Sequence, residues 1–310
     1  MSGRPSLVID TDTASDDAVA LLLAAKESSV DIAAVTIVAG NVPIDLAVRN
    51  AIVTLDIAGA GDVPVYVGHD TPMQRTLETA QDVHGPDGMS GAALAEPSRV
   101  PADEHAVDVL VRLANDEPGI HTLVTLGPMT NIAAALQRDP ELLTRFRHTF
   151  MMAGSPDGVG NVNTAGEFNV WADPEAATIV LAAPGAKTMI GWNVSRLYTV
   201  IRPEEHQRFL GLGVVGEFVA SINVAVDTYC REVSGLDGYD LPDPVAMAVA
   251  LDESLITDAT DEWMVVGLDE PTRGAVLIDG RANAPEPNCR VVWAVDESRF
   301  KQRLFAACEI

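Results

Sequence analysis

Short apolar runs alternate with segments of helical period from one end of the chain to the other. Residues 6–12 (SLVIDTD) read as a buried strand and residues 16–27 (DDAVALLLAAKE) as a helix. A strand over 31–38, a helix over 44–58 and a strand over 63–68 repeat the unit. Residues 69–101 carry Gly, Pro and acids without a clear period and read as loop. The alternation resumes with a helix over 103–115, a strand over 121–126, a helix over 131–137 and a strand over 149–152. Beyond a Gly/Asn loop come a helix over 174–183 and a strand over 187–192. Helical segments fill much of 204–232 and then 244–251. Strands near 263–266, 275–278 and 290–295 precede a C-terminal helix, with Thr272-Arg273-Gly274 as a hairpin connection. Repeated β-α-β units predict an α/β fold: an open, mostly parallel, Rossmann-like sheet with helices on both faces. No linker or composition break divides it, so residues 1–310 are expected to form a single domain. Ligands of such sheets sit beyond the carboxyl ends of the strands.

Charge narrows the partners. The chain has 45 Asp and Glu against 20 Lys and Arg, a formal net charge of -25. Such a field disfavours a nucleic acid polymer as partner. The 47% hydrophobic content excludes a disordered acidic tail. No apolar run of membrane-spanning length occurs, and no signal-peptide pattern opens the chain, so a cytoplasmic location with no membrane partner is expected. Cys230, Cys289 and Cys308 lack metal-type spacing, and their odd number argues against a disulfide framework. Only Lys26, Lys187 and Lys301 are lysines, and the other basic residues are arginines. An acidic, lysine-poor surface suits a halophilic cytosol; a GC-rich genome would give the same bias.

The first strand runs into Asp10-Thr11-Asp12-Thr13-Ala14-Ser15-Asp16-Asp17, four carboxylates within eight residues. Alternation puts Asp10 and Asp12 on one face, and Ser15 is positioned to cap the helix that Asp16 and Asp17 open. Capping accounts for acids at a helix start but not for two more on a buried strand. Carboxylates so crowded repel unless a cation holds them, and hard oxygen ligands suit Ca²⁺ or Mg²⁺.

Strand-Asp-x-Asp-x-Thr resembles the haloacid-dehalogenase-type phosphatases, which work with Mg²⁺. Those enzymes also need a later Lys and a terminal acidic pair, and the strands near Lys187 and Val266 lack the pair. The fuller resemblance is to the inosine-uridine preferring nucleoside hydrolase family. Asp10, Asp12, Asp16, Asp17 and Ala18 match its Asp-x-Asp-x-x-x-Asp-Asp-Ala pattern, with Ala14-Ser15 where Pro-Gly is usual. Then follow Val38-Ala39-Gly40-Asn41, His84-Gly85-Pro86-Asp87-Gly88, Leu126-Gly127-Pro128-Met129-Thr130-Asn131, Gly160-Asn161 with Glu167-Phe168-Asn169, and Asp243-Pro244 with Ala246. These motifs, in order, span essentially the whole chain.

The resemblance implies hydrolysis of a small-molecule ribonucleoside to ribose and free nucleobase by a homodimer or homotetramer. It implies a Ca²⁺ site of Asp12, Asp17, the Leu126 main-chain carbonyl and Asp243, with Asp10 in support. A Ca²⁺-held water would be the nucleophile and Asp12 its general base. Asp16, Asn41, Asn161, Glu167, Asn169 and Asp243 would grip the ribose. A nucleoside- or ribose-binding protein without turnover is the non-enzyme reading. It gains weight because Pro242 stands where many members carry a proton-donating His. Candidates for a replacement acid are His84, Tyr229, Tyr239 and Asp240, with His84 favoured by its ordinary pKa and its place on a loop expected to be mobile. Trp192, in Gly191-Trp192-Asn193 where Gly-Leu-Asp is common, is expected to line the base pocket beside Phe168.

Overall fold

The computed structural model describes residues 4–309. Among the described residues ten strands form: β1 (Ser6–Thr11), β2 (Asp31–Ile37), β3 (Val65–Val67), β4 (His121–Thr125), β5 (His148–Met152), β6 (Lys187–Ile190), β7 (Ile256–Glu262), β8 (Met264–Val266), β9 (Val276–Ile278) and β10 (Cys289–Val295). Eight of them make one sheet in the order β3-β2-β1-β4-β5-β6-β10-β7, while β8 and β9 form a separate hairpin. Every neighbouring pair of the large sheet is parallel except β10 with β7. The run β3-β2-β1-β4-β5-β6 is the doubly wound order, whose direction reverses between β1 and β4 and leaves a crevice at their carboxyl ends.

Side-chain alternation divides the core in two. Leu7 and Ile9 of β1, Val35 and Ile37 of β2, Val124 of β4, and Phe150 and Met152 of β5 face one layer. Val8, Ala34, Leu123 and Met151, one residue out of step, face the other. The first layer is closed by helices Ser15–Lys26, Ile44–Ala58, Val214–Ile222, Pro242–Leu251 and Glu297–Cys308. The second is closed by Ala106–Asp116, Thr130–Arg138 and Pro174–Ala182. The expected α/β sheet with helices on both faces is therefore present.

Several expected elements differ. The strand expected over 187–192 ends at Ile190, because β10 pairs only with Thr188–Ile190 and Trp192 opens a helix, Trp192–Tyr198. An apolar run cannot mark that change of period. The stretch 204–232 breaks into Pro203–Phe209, Val214–Ile222, Val224–Tyr229 and a π-helical turn, Cys230–Ser234. The loop 69–101 holds a short helix, Gln81–His84. Strand β7 carried no apolar signal: it is a sheet edge whose Thr257, Asp258, Thr260 and Asp261 are exposed. Among the described residues no helix is long and apolar enough to cross a membrane.

Candidate active site

The two helices Ser15–Lys26 and Pro242–Leu251 pack against each other, and both begin at the crevice beyond β1 and β4. Their first turns carry Asp16, Asp17 and Asp243, so three buried carboxylates gather at the positive ends of two helices. One oxygen from each lies within 4.8 Å of the others. Asp17 is fixed by Thr11 Oγ1 at 2.5 Å and by the Ala14 N–H at 2.9 Å.

Asp12 occupies a slot made by two glycines. A Cβ on Gly40 would stand 2.1 Å from its Oδ2, and one on Gly127 would stand 2.6 Å from its Oδ1. The Asn41 N–H donates to Oδ2 at 2.6 Å, while Oδ1 is buried without a hydrogen-bond partner. Asp10 turns instead to Thr36 Oγ1 (2.6 Å) and Asn131 Nδ2 (2.9 Å), tying β1 to β2 and to the helix after β4.

These acids are far from their ordinary ionisation. Burial, then the neighbouring carboxylates, raise Asp12 and Asp243 well above the usual range. Burial pushes Asp10, Asp16 and Glu167 up to about 7 and Asp17 to about 6. Protein donors do not offset this: Asp16 Oδ1, like Asp12 Oδ1, lacks a partner. Crowded, part-orphaned, all-oxygen donors fit a hard divalent cation.

Around this floor lies a cavity of about 280 Å³. Asn41, Leu126, Met152, Glu167 and Asn169 line its polar side. Glu167 caps the helix Phe168–Ala172, accepting from the N–H groups of Asn169 (3.0 Å), Val170 (3.4 Å) and Gly154 (2.7 Å). Asn169 Nδ2 donates to the carbonyls of Leu126 (2.6 Å) and Met152 (3.1 Å), which leaves its Oδ1 for other partners. Asn161 stands at the rim, exposed, with Oδ1 accepting from the Phe168 N–H. Phe168, Trp171, Trp192 and Tyr229 give the same cavity an aromatic wall.

The structure thus brings Asp12, Asp16, Asp17, Asn41, His84, Leu126, Asn161, Glu167, Phe168, Asn169, Trp192 and Asp243 to one crevice. Three expectations are corrected. Ser15 does not cap its helix, because Ala14 is the N-cap and Ser15 lies inside the first turn, where its Oγ meets His84 Nδ1 at 2.8 Å. His84 is buried at the end of a short helix, 3.7 Å from Asp16 Oδ1, and burial lowers its pKa to about 4. Tyr239 is fully buried with its hydroxyl on His206, and it does not line the cavity. Sequence reasoning missed Trp171, which follows Phe168 by three residues on one short helix, the signal that should have paired them. It also missed Val226 and Cys230, which no local pattern marks.

A family model described as inosine-uridine preferring nucleoside hydrolase matches residues 7–302. The chain belongs to that family. A pyrimidine-specific ribonucleoside hydrolase, RihA, of Citrobacter koseri is 33% identical over 298 residues, covering 95% of each chain. Among solved structures, the plant nucleoside hydrolase PpNRh1 superposes with a TM-score of 0.92 at 31% identity, covering 99% of each chain. A purine-preferring ribonucleoside hydrolase from Gardnerella vaginalis gives 0.92 at 32%, covering 98% of each. Membership places the chain among hydrolases that act on N-glycosyl compounds, and the phosphatase resemblance falls away. The family is metal-dependent, and Asp16, Asp17 and Asp243 form a candidate acidic site for the ion.

Proposed function

We propose that this protein cleaves the N-glycosidic bond of ribonucleosides, giving ribose and a free nucleobase, with Ca²⁺ held by Asp12, Asp17, the Leu126 carbonyl and Asp243. The observation that carries the reading is the buried carboxylate floor at the β1/β4 crevice, sharing one cavity with an aromatic wall. A bound divalent cation would neutralise the floor and supply Lewis acidity toward water and the ribose hydroxyls.

The protein's own groups then divide the work. Departure of the base builds positive charge at C1′, which Asp16, Glu167 and the amide oxygens of Asn41, Asn161 and Asn169 stabilise in a water-poor pocket. Water adds its oxygen to C1′ as the C–N bond breaks, and Asp12, with its free Oδ1, takes the proton released. Asp16, Asp243, Glu167 and the three asparagines grip the ribose hydroxyls, so loss of the 2′-hydroxyl would strand buried polar partners. Phe168 and Trp192 flank the base. At its ordinary pKa His84 would be partly charged near neutral pH, but burial lowers it to about 4 and favours the neutral ring. Were Ser15 Oγ the donor to Nδ1, 2.8 Å away, the ring proton would sit on Nε2 as a hydrogen-bond donor for the leaving base.

Incubation with inosine, uridine, cytidine and a phosphomonoester, with and without EDTA, tests the proposal. Free base released in an EDTA-sensitive manner supports it, and phosphate release alone sinks it. Nucleoside binding without turnover would identify a binding protein. Assembly as a homodimer or homotetramer and adaptation of the outward acids to high salt belong to the same proposal. Sedimentation and melting in low and in molar KCl test both.

A further inference from the structure

At the aromatic wall a buried carboxyl remains that neither the ribose floor nor the candidate cation set uses. Asp240 is buried and lines the cavity. Its Oδ2 accepts from Trp192 Nε1 at 2.9 Å and from Ser195 Oγ. Its Oδ1 has only the weak Cys230 thiol, at 3.7 Å. The backbone is built to keep it there. Tyr239 exchanges hydrogen bonds with Ile201, the Leu241 N–H donates to Thr199 Oγ1 at 2.8 Å, and both flanking side chains are fully buried. A Cβ on Gly238 would strike the Ile201 carbonyl at 2.1 Å. Alternation along this extended segment turns Asp240 the other way, toward the cavity. Cys230 and Ser234, which line the same region, belong to the π-helical turn, a widened backbone often found where a ligand is accommodated.

We infer that Asp240 is the specificity-determining residue of the leaving-group end, its Oδ1 accepting an N–H of the nucleobase while Trp192 and Ser195 hold the other oxygen. The ligand class is a nucleobase that presents a ring or exocyclic N–H at that edge. The inference rests on the hydrolase reading. The contact exists in the ground state and the transition state alike, so it acts on binding more than on the rate of bond breaking.

Asp240→Asn gives an orientation-sensitive test. The two donors on Oδ2 would retain the amide oxygen and thereby aim the NH₂ at the base, replacing an acceptor by a donor. The expected result is a KM for inosine and uridine raised about tenfold or more with kcat little changed, while p-nitrophenyl riboside, which lacks an N–H, changes by less than about threefold. Trp192→Phe keeps an aromatic ring but removes one of the two donors on Oδ2, leaving Ser195 Oγ. It should move the same ratio in the same direction by a smaller factor, and it serves if Asp240→Asn does not fold. Equal losses on nucleosides and p-nitrophenyl riboside, no change on either, or a loss confined to kcat would each overturn the inference. Should the wild type turn over none of these substrates, the hydrolase reading fails first. Calorimetric titration of ribose and of inosine then still reports on Asp240, because only inosine binding should weaken in the variant.

Discussion

The floor and the wall of the cavity are built by different means. Each floor carboxylate follows a strand or opens a buried helix, and backbone N–H groups or glycine slots fix Asp12, Asp17 and Glu167. The wall is assembled from side chains of separate short helices. It is braced from outside by Arg273 of the β8–β9 connection, whose guanidinium lies 3.9 Å from the Trp171 ring centre, donates to the Trp171 carbonyl and pairs with Glu78. A floor held by main chain tolerates little change, whereas a wall held by side chains can be retuned for another leaving group without disturbing the ribose end.

The sharpest way to break this contrast is on the floor. Asp12→Ala should lower kcat by about 10³-fold and weaken Ca²⁺ binding, measured by steady-state kinetics and calorimetry. An active variant would remove Asp12 from both roles. On the wall, His84→Ala should cost about 10²-fold on nucleosides and far less on p-nitrophenyl riboside, whose leaving group needs no help. Equal loss on both would leave His84 with a packing or ribose-binding role. Arg273→Ala should raise KM only severalfold and leave Ca²⁺ affinity unchanged, since it loosens Trp171 without touching an acid. A fall in Ca²⁺ affinity would show that wall and floor are not independent.

The smallest effect separates them by pH. In the unfolded chain Asp10, Asp16 and Glu167 ionise near their ordinary values around 4, whereas burial holds them to about 7 in the fold. Between those values the folded state keeps protons that the unfolded state has lost. Stability of the EDTA-treated protein should therefore fall as pH rises from about 4 through 7, and Asp12 and Asp243, raised well above the usual range, add to the fall. Calorimetric melting should show Ca²⁺ raising Tm by a few degrees more at pH 8 than at pH 5. A Ca²⁺ effect independent of pH would separate the cation from these acids.

The same contrast explains what the sequence made legible. Acids at the end of a buried run, such as Asp10 and Asp12, contradict their surroundings and so stand out. The helix over 44–58 matches its expected bounds because apolar residues recur on one face between Pro43 and Gly59. The wall was legible only in part: Phe168, Trp192, Tyr229 and Asp240 stood out as candidates, but Trp171, Val226 and Cys230 come from separate segments and meet the rest only through tertiary packing. Strand β7 was invisible for a related reason. An exposed edge needs no apolar face, so Ile256–Glu262 reads as loop.

That edge bears on how copies of the chain can meet. A second sheet adding to β7 by backbone pairing would bring Asp258, Asp261 and Glu262 against the acids of its neighbour. The opposite edge, β3, is three residues long and already bridged at Tyr66 by Ala102. With one border repelling and the other short and occupied, continuous sheet growth is blocked at both ends. Any contact between copies would then fall to the helical faces and loops, with the edge acids opposing strand-to-strand pairing.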